Sequence, residues 1–490
     1  MSRFNSVPFN ITGGTSKSRS SLNNNQRTVN FYPELDEAGK DKFILQSFPG
    51  QVHLELTNDD LTTDLNDRGL TQMSEVLYRV SGDKLLKVDS ALIQTHIDDL
   101  AIDGTGRCIF ANDGENLVIV TDTKKVYIYN SVSDTLVAAT DSFLINDDIE
   151  SVSFLNNQFI YNNNRFIAVS DVGNPDSING LNIIGAESNP DNIILTYVYD
   201  QLIYVFGNRT IETFYNSGVG NPPIERIEGR IFQIGLASKY SVASTDNAIY
   251  FLGDDKKIYR SKGGQHEVIS TTSISNQIES LTKIDDASAF TFSFEGFTFY
   301  AITFPESKKT FVMNEVYGSN GWFELNSGDF NNELYIESTY NVGSFVEVYN
   351  KRIMADLENG KLLYLDLNTY TNDGKPMLRE RVCSTIDGGL LNAKGRLLQA
   401  KRIEIICEKG VGNVSGDGDD PSIILECSFD GGKTFKTISF VKIGQLGETS
   451  IKAEAFLMDK FYSMQLRFRT SDPVYYSLHS AVIDLRVAGR

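Results

Sequence analysis

Val76-Leu77-Tyr78-Arg79-Val80, a polar turn at Ser81-Gly82-Asp83-Lys84, then Leu85-Leu86-Lys87-Val88 read as one β-hairpin. The chain repeats it. Residues 117–120 pass through Thr121-Asp122-Thr123-Lys124-Lys125 into 126–129, and 159–161 turn at Asn162-Asn163-Asn164-Arg165 into 166–169. Residues 202–206 turn at Gly207-Asn208-Arg209 into 210–214, and 248–252 turn at 253–257 into Ile258-Tyr259. Residues 297–304 turn at 305–309 into 310–312, and 352–357 turn at Glu358-Asn359-Gly360-Lys361 into 362–365. A basic residue closes each turn: Lys84, Lys125, Arg165, Arg209, Lys257, Lys309 and Lys361, at steps of 41, 40, 44, 48, 52 and 52 residues. Periods near 40 to 50 residues are the signature of a β-propeller with about four short strands per blade. One blade cannot bury both faces alone, so blades pack face to face around an axis, which also protects the strand edges. The expectation is an all-β chain with a six- or seven-bladed propeller. A β-sandwich with accidental hairpin spacing is the alternative.

Composition agrees with an all-β chain. Of 490 residues, 52 are Tyr or Phe, which favour strands. Long amphipathic helical windows are hard to find. The formal charge is −19, from 64 acids and 45 bases, which argues against a general nucleic-acid binder with a basic face. An acidic surface past which nucleic acid slides is compatible with it, and so is simple solubility. The cysteines are Cys108, Cys383, Cys407 and Cys427; without a C-x-x-C pair they read as reduced core residues, with Cys407 and Cys427 on two candidate strands. No apolar N-terminal stretch or 18-residue apolar run occurs, so neither a signal peptide nor a membrane span is expected.

In chain order, residues 1–70 are an N-terminal arm with platform strands: the polar arm 1–29 should order on a partner or on the chain's own body, and short strands that stop at Pro33 and Pro49 follow it. Residues 71–390 hold the propeller, with longer loops at 172–190, 216–223 and 261–277. Trp322 is either a docking aromatic or a core residue between blades. Residues 391–490 alternate as strands around a Gly- and Asp-rich loop at 410–421 and read as a β-sandwich-like module. With the N-terminal arm it should make a platform built from both chain ends.

Most chemical signals fail on spacing. Gly13-Gly14-Thr15-Ser16-Lys17 lacks the phosphate-loop pattern, and Gly410-x-Gly412-x-x-Ser415 lacks the sixth-position glycine and the following helix of a dinucleotide loop. Asp417, Asp419 and Asp420 lack the twelfth-position Glu of a calcium loop. His53, His96, His266 and His479 are isolated, and no G-x-S-x-G elbow exists. No catalytic residue, cofactor or metal is assigned. One motif is specific: Ser428-x-Asp430-x-Gly432-x-Thr434-Phe435 matches an Asp-box, a hairpin turn in which Asp accepts from turn amides and Gly permits the tight backbone. Asp-boxes occur in sialidases, where they are structural.

Asn30-Phe31-Tyr32-Pro33-Glu34, Ser47-Phe48-Pro49-Gly50, Arg68-Gly69 and Leu77-Tyr78-Arg79-Val80-Ser81-Gly82 occur in that order near the N-terminus. Glu408-x-Gly410-x-Gly412, the Asp-box, Gly444-x-x-Gly447, Arg467-Phe468-Arg469 and Ser471-Asp472-Pro473-Val474 follow near the C-terminus. Together they resemble the tail nozzle (hub), or packaged-DNA stabilisation, proteins of short-tailed bacteriophages. Phe435 stands where that family's Asp-box usually has Trp.

The resemblance implies a non-enzymatic virion protein assembled in the host bacterial cytoplasm. It implies a homo-hexameric ring below the portal and its adaptor ring. The ring would retain packaged double-stranded DNA, pass it without sequence-specific binding, and hold tailspikes or tail fibres, with a tail needle or plug protein as a further partner. The rival readings are a carbohydrate-binding or sialidase-like propeller, which would need converging arginines and acids on the axis, and a host cytosolic scaffold.

Overall fold

All seven hairpins fold as read, and each supplies the two middle strands of a four-stranded antiparallel unit. The structure, a computed structural model, describes residues 3–20, 24–35, 43–58, 66–97, 99–185, 191–331, 334–357 and 359–488. The first strands of the units are Asp67–Met73, Ile109–Asn112, Ser151–Leu155, Ile193–Tyr199, Ala243–Ser244, Ser288–Phe294 and Val342–Val348. Residues of six of them line the cavities on the axis or the turns at its mouth.

Seven separate apolar clusters then account for ring closure, one between each pair of neighbours. Leu117 and Tyr129 of the second blade meet Val80 and Leu85 of the first. Val118 meets Phe159, Ile160 meets Ile203, Phe206 meets Phe251, Tyr250 meets Tyr300, and Phe299 meets Met354 in the successive interfaces. Ile353 and Leu362 of the seventh blade return to Leu77 and Val88 of the first. Seven interfaces among seven units close a seven-bladed propeller. Trp322 is a core residue of the fifth interface, 1% exposed, and its Nε1–H donates to the Ile269 carbonyl at 3.0 Å.

The last blade is completed from the other end of the chain. Its strands Val342–Val348, Lys351–Asp356 and Leu362–Asp366 are joined by Gly50–His53, which pairs antiparallel from Asp366↔Gly50 to Leu363↔His53. Pro49 breaks the preceding strand, and Gly50 approaches the Thr369–Thr371 backbone so closely that a Cβ would lie 2.3 Å from the Thr371 oxygen.

The platform is a sandwich. One sheet holds Phe31–Leu35, Phe43–Ser47, Ser477–Val487, Leu398–Cys407 and Glu454–Phe456, with Asn5–Phe9 paired to Ser477–Val487 and Lys460–Phe461 to Leu398–Cys407. The other contains Asn25–Val29, Arg379–Asp387, Ser463–Thr470, Ser422–Ser428 and Lys436–Lys442. Ile403, Ile405, Ile483 and Leu485 of the first face Cys383, Leu425, Leu466 and Phe468 of the second in one core. That core also contains Cys427 and packs against Cys407; all four cysteines are free thiols. The sandwich includes Arg379–Asp387, ahead of residue 391, whereas Gly50–His53 from the arm is a propeller strand.

The second sandwich sheet is continuous with the propeller. Val29 pairs in parallel with Glu324 of the outer strand of the sixth blade, Trp322–Leu325, and Arg27–Val29 pair antiparallel with 380–382. The arm strand therefore joins blade to platform in a ten-stranded sheet. The segment 261–277 is not a loop. It contains the strand Gln265–Val268 and the start of the helix Thr272–Glu279, capped by the Thr271 hydroxyl and anchored by buried Ile274 and Ile278. Its Ser, Asn and Gln content hid that two-residue apolar stripe.

Candidate functional site

Two places gather charge and buried polar groups: the junction between propeller and platform, and the propeller axis. At the junction, acids and bases alternate across five neighbouring strands. Arg27 pairs with Glu324 at 2.8 Å on one side and with Glu380 at 3.4 Å on the other. Glu380 also meets Arg469 at 3.7 Å and Arg467 at 3.8 Å, and Arg467 pairs with Glu426 at 2.5 Å. Lys309 reaches Glu324 at 3.5 Å and Glu337 at 3.3 Å, and Arg27 also binds Glu337. Burial acts to raise the Glu324 carboxyl, but Arg27, Lys17 and Lys309 overcome it and hold it at about 2. Removing one partner of such a buried pair costs about 3–5 kcal/mol, because the other charge is left uncompensated.

Several residues singled out in the sequence support this junction. Asn30, with φ 53°, donates through Nδ2 to the carbonyls of Asn326 at 2.9 Å and Leu378 at 2.8 Å, and its Oδ1 accepts from the Asn326 N–H. Tyr32 packs edge-on against Phe294 and Phe299 and donates to Glu295. Buried Pro33 lies between it and Glu34, whose carboxylate accepts from Gln46 at 2.7 Å. Asp472 caps the strand beginning at Ser422 by accepting its N–H at 2.8 Å; Pro473 follows it, half-buried. Arg381, missed by sequence reading, is fully buried and donates to the carbonyls of Ile11, Thr12 and Gly14 and to Thr28 and Gln26. It holds the arm by its backbone.

The Asp-box forms in the sandwich, outside the propeller. Asp430 accepts from the N–H groups of Lys433 and Thr434 and from both hydroxyls, Ser428 at 2.7 Å and Thr434 at 2.6 Å. These donors, the Thr434 hydroxyl first, hold its carboxyl well below the usual range. Gly432, φ 81°, presses on Asn25 of the arm strand, where a Cβ would lie 2.3 Å from Asn25 Nδ2. Phe435 is half-buried under the Arg467 guanidinium, 4.0 Å from its ring centroid, and so props the charge ladder.

Arg68 and Gly69 lie elsewhere, between the first two blades. Arg68 is fully buried and donates to the carbonyls of Gly82, Ile102, Asp103 and Gly106 and to Asp122. Gly69 has φ 143°, and a Cβ there would lie 2.5 Å from the Phe110 ring.

The axis is closed at one end. Arg107, between the first two blades, donates to the Gly343 carbonyl at the start of the seventh. Tyr240, entering the fifth blade from the opposite side of the ring, donates to the Arg107 carbonyl at 2.8 Å. Above them lies a cavity of about 370 Å³ lined by Arg107, Lys239, Tyr240, Tyr197, Ser153 and Thr196 among others, with no carboxylate in its lining. Toward the other end a wider opening of about 1060 Å³ is bordered by Tyr199, Asp200, Asp246, Phe345 and Glu347. Among the described residues no group of three or more His, Cys, Asp or Glu side chains could hold a metal ion.

Residues 6–370 match the family described as bacteriophage P22 Gp10, beta-propeller, a phage stabilisation family. The chain belongs to that family. The match spans the arm and the whole propeller and makes the protein a structural component of a phage virion. No curated protein matches the chain by sequence. Distant likenesses among solved structures include U3-55K, at 10% identity and TM-score 0.42 over 65% of this chain and 100% of that one. A catalytically inactive virginiamycin B lyase from Staphylococcus aureus gives 12% identity and TM-score 0.42 over 65% and 99%. BamB from Moraxella catarrhalis gives 10% and 0.38 over 74% and 97%.

Proposed function

We propose that the protein is the tail nozzle: a ring of copies, six by the family resemblance, that surrounds a DNA channel below the portal and its adaptor. It retains packaged DNA, passes it at infection and carries tailspikes or fibres outside, with a needle or plug protein as a further partner. Assembly takes place in the host cytoplasm. The closed axis is the observation that carries this reading. Arg107 and Tyr240 bar passage through one propeller, so a channel wide enough for a double helix requires several copies side by side.

The platform has a surface suited to the adaptor. Lys436–Lys442 and Glu454–Phe456 are the last strands of their sheets, farthest from the propeller. Phe440, Phe456, Met458 and Tyr462 there are 63–67% exposed, the kind of apolar patch that marks a protein contact. An axial cavity lined by cations, without a carboxylate in its lining, does not offer the paired acids of a glycosidase. Negative-stain images of the purified chain, alone and with tail components, test the proposal. Rings with a central hole are expected; only monomers, with or without those components, would overturn it.

A further inference from the structure

At the closed end of the propeller axis two cations, Arg107 and Lys239, line a cavity that no carboxylate lines. Buried Asp67 lies 3.9 Å from the fully buried Arg79 and accepts from Ser344 at 3.1 Å. Its charge also acts on Arg107, yet no carboxylate among the described residues lies within ion-pair distance of the Arg107 guanidinium. Beside it, Lys239 pairs with Glu150 at 3.1 Å, and Lys124 pairs with Glu150 at 2.9 Å and with Asp148 at 3.5 Å. Arg107 and Lys239 both line the 370 Å³ cavity. Arg107 Nη1 is buried and has no hydrogen-bond acceptor among the described residues. The hydroxyls around it are committed: Ser153 donates to Thr196, Thr196 to Asn162, and Tyr240 to the Arg107 carbonyl.

A buried cation with an unmet donor is costly unless paired. Burial pushes both the Arg107 and Lys239 cations down from their usual values, with Asp67 and Glu150 opposing it. A cavity lined by two cations and no carboxylate would meet that demand with an oxyanion.

We propose that the axial cavity binds one small free oxyanion, phosphate or a small carboxylate, held by Arg107 Nη1 and Lys239 Nζ. The bound anion ties the second blade, through Arg107, to the fifth, through Lys239 and Tyr240, across the axis. A carboxylate side chain delivered by a partner offers the same chemistry, so the test uses the isolated full chain.

Calorimetric titration with sodium phosphate at constant ionic strength should show one site per chain. The affinity should fall about ten- to a hundredfold in R107M, as loss of a charged hydrogen bond implies, and also weaken in K239M. No saturable binding to the native chain, or an unchanged affinity in R107M, would overturn the proposal. Should R107M not fold, K239M and crystals soaked in sodium selenate decide: a selenium anomalous peak beside Arg107 supports the site, and an empty cavity refutes it.

Discussion

Arg381 illustrates how single residues govern this molecule. Its guanidinium satisfies three arm carbonyls and two side chains in a site without water access, so replacing it strands several acceptors at once. R381M should lower stability by about 3 kcal/mol or more and release the arm to limited proteolysis while the propeller stays resistant. An arm as protected as in the native chain would contradict this. The dependence is mutual: removing residues 1–28 would strip Arg381 of its arm partners and take Arg27 from Glu324 and Glu380, so the arm is part of the fold. Residues recognisable in sequence, such as Arg68, Gly69, Asn30 and the Asp-box, all prove to be joints. Arg381 and Arg107 were not legible, because a buried arginine on a strand reads like any exposed one until its carbonyl partners, up to 370 residues away, are known.

At the scale of elements, the hairpins were legible because strands alternate and turns carry polar residues at a steady period. The turns from first to second strand were not. In five blades they are two-residue turns with both φ values positive, at Ser74-Glu75, Asn156-Asn157, Asp200-Gln201, Glu295-Gly296 and Tyr349-Asn350. Such turns favour Asn-Gly, and these pairs lack that signature. The charge ladder sets a pH response. Glu324, held at about 2, lies below an unfolded carboxyl near 4.3, so its stabilisation is complete above that value and is lost as pH falls through about 2. Glu337 is shifted in the same direction: burial would raise it, and its hydrogen bond and charge interaction with Arg27 lower it. The melting temperature should therefore fall between about pH 4.5 and 2, and E324Q should flatten that slope while costing about 3 kcal/mol at neutral pH. An equally steep slope in E324Q would count against the assignment.

At the scale of the whole molecule, net charge and exposed apolar surface set what can be asked of the assembly. With −19 per copy, the wall of the proposed channel should carry more acids than bases and repel DNA over about 8 Å at physiological salt. On the nozzle proposal, retention then falls to a constriction or plug. The isolated protein should bind double-stranded DNA only weakly even at low salt; submicromolar, salt-sensitive binding would refute an acidic wall. At the platform's far edge, F456D with M458E should abolish incorporation into tails while changing stability by less than about 0.5 kcal/mol per site, since both side chains are exposed. Normal incorporation would place the adaptor contact elsewhere. None of these contacts was legible in sequence, because an exposed Phe on an edge strand looks the same as a buried one.

The strand Gly50–His53, which finishes the seventh blade, also orders events during synthesis. It leaves the ribosome early, yet its partner Leu362–Asp366 emerges only after six further blades. At ordinary translation speeds that interval lasts tens of seconds. Throughout it the nascent ring is open, with one blade edge and the apolar faces of the first blade unprotected. A chaperone has its longest opportunity there, and so does a neighbouring chain on the same message, whose own strand could be captured by mistake.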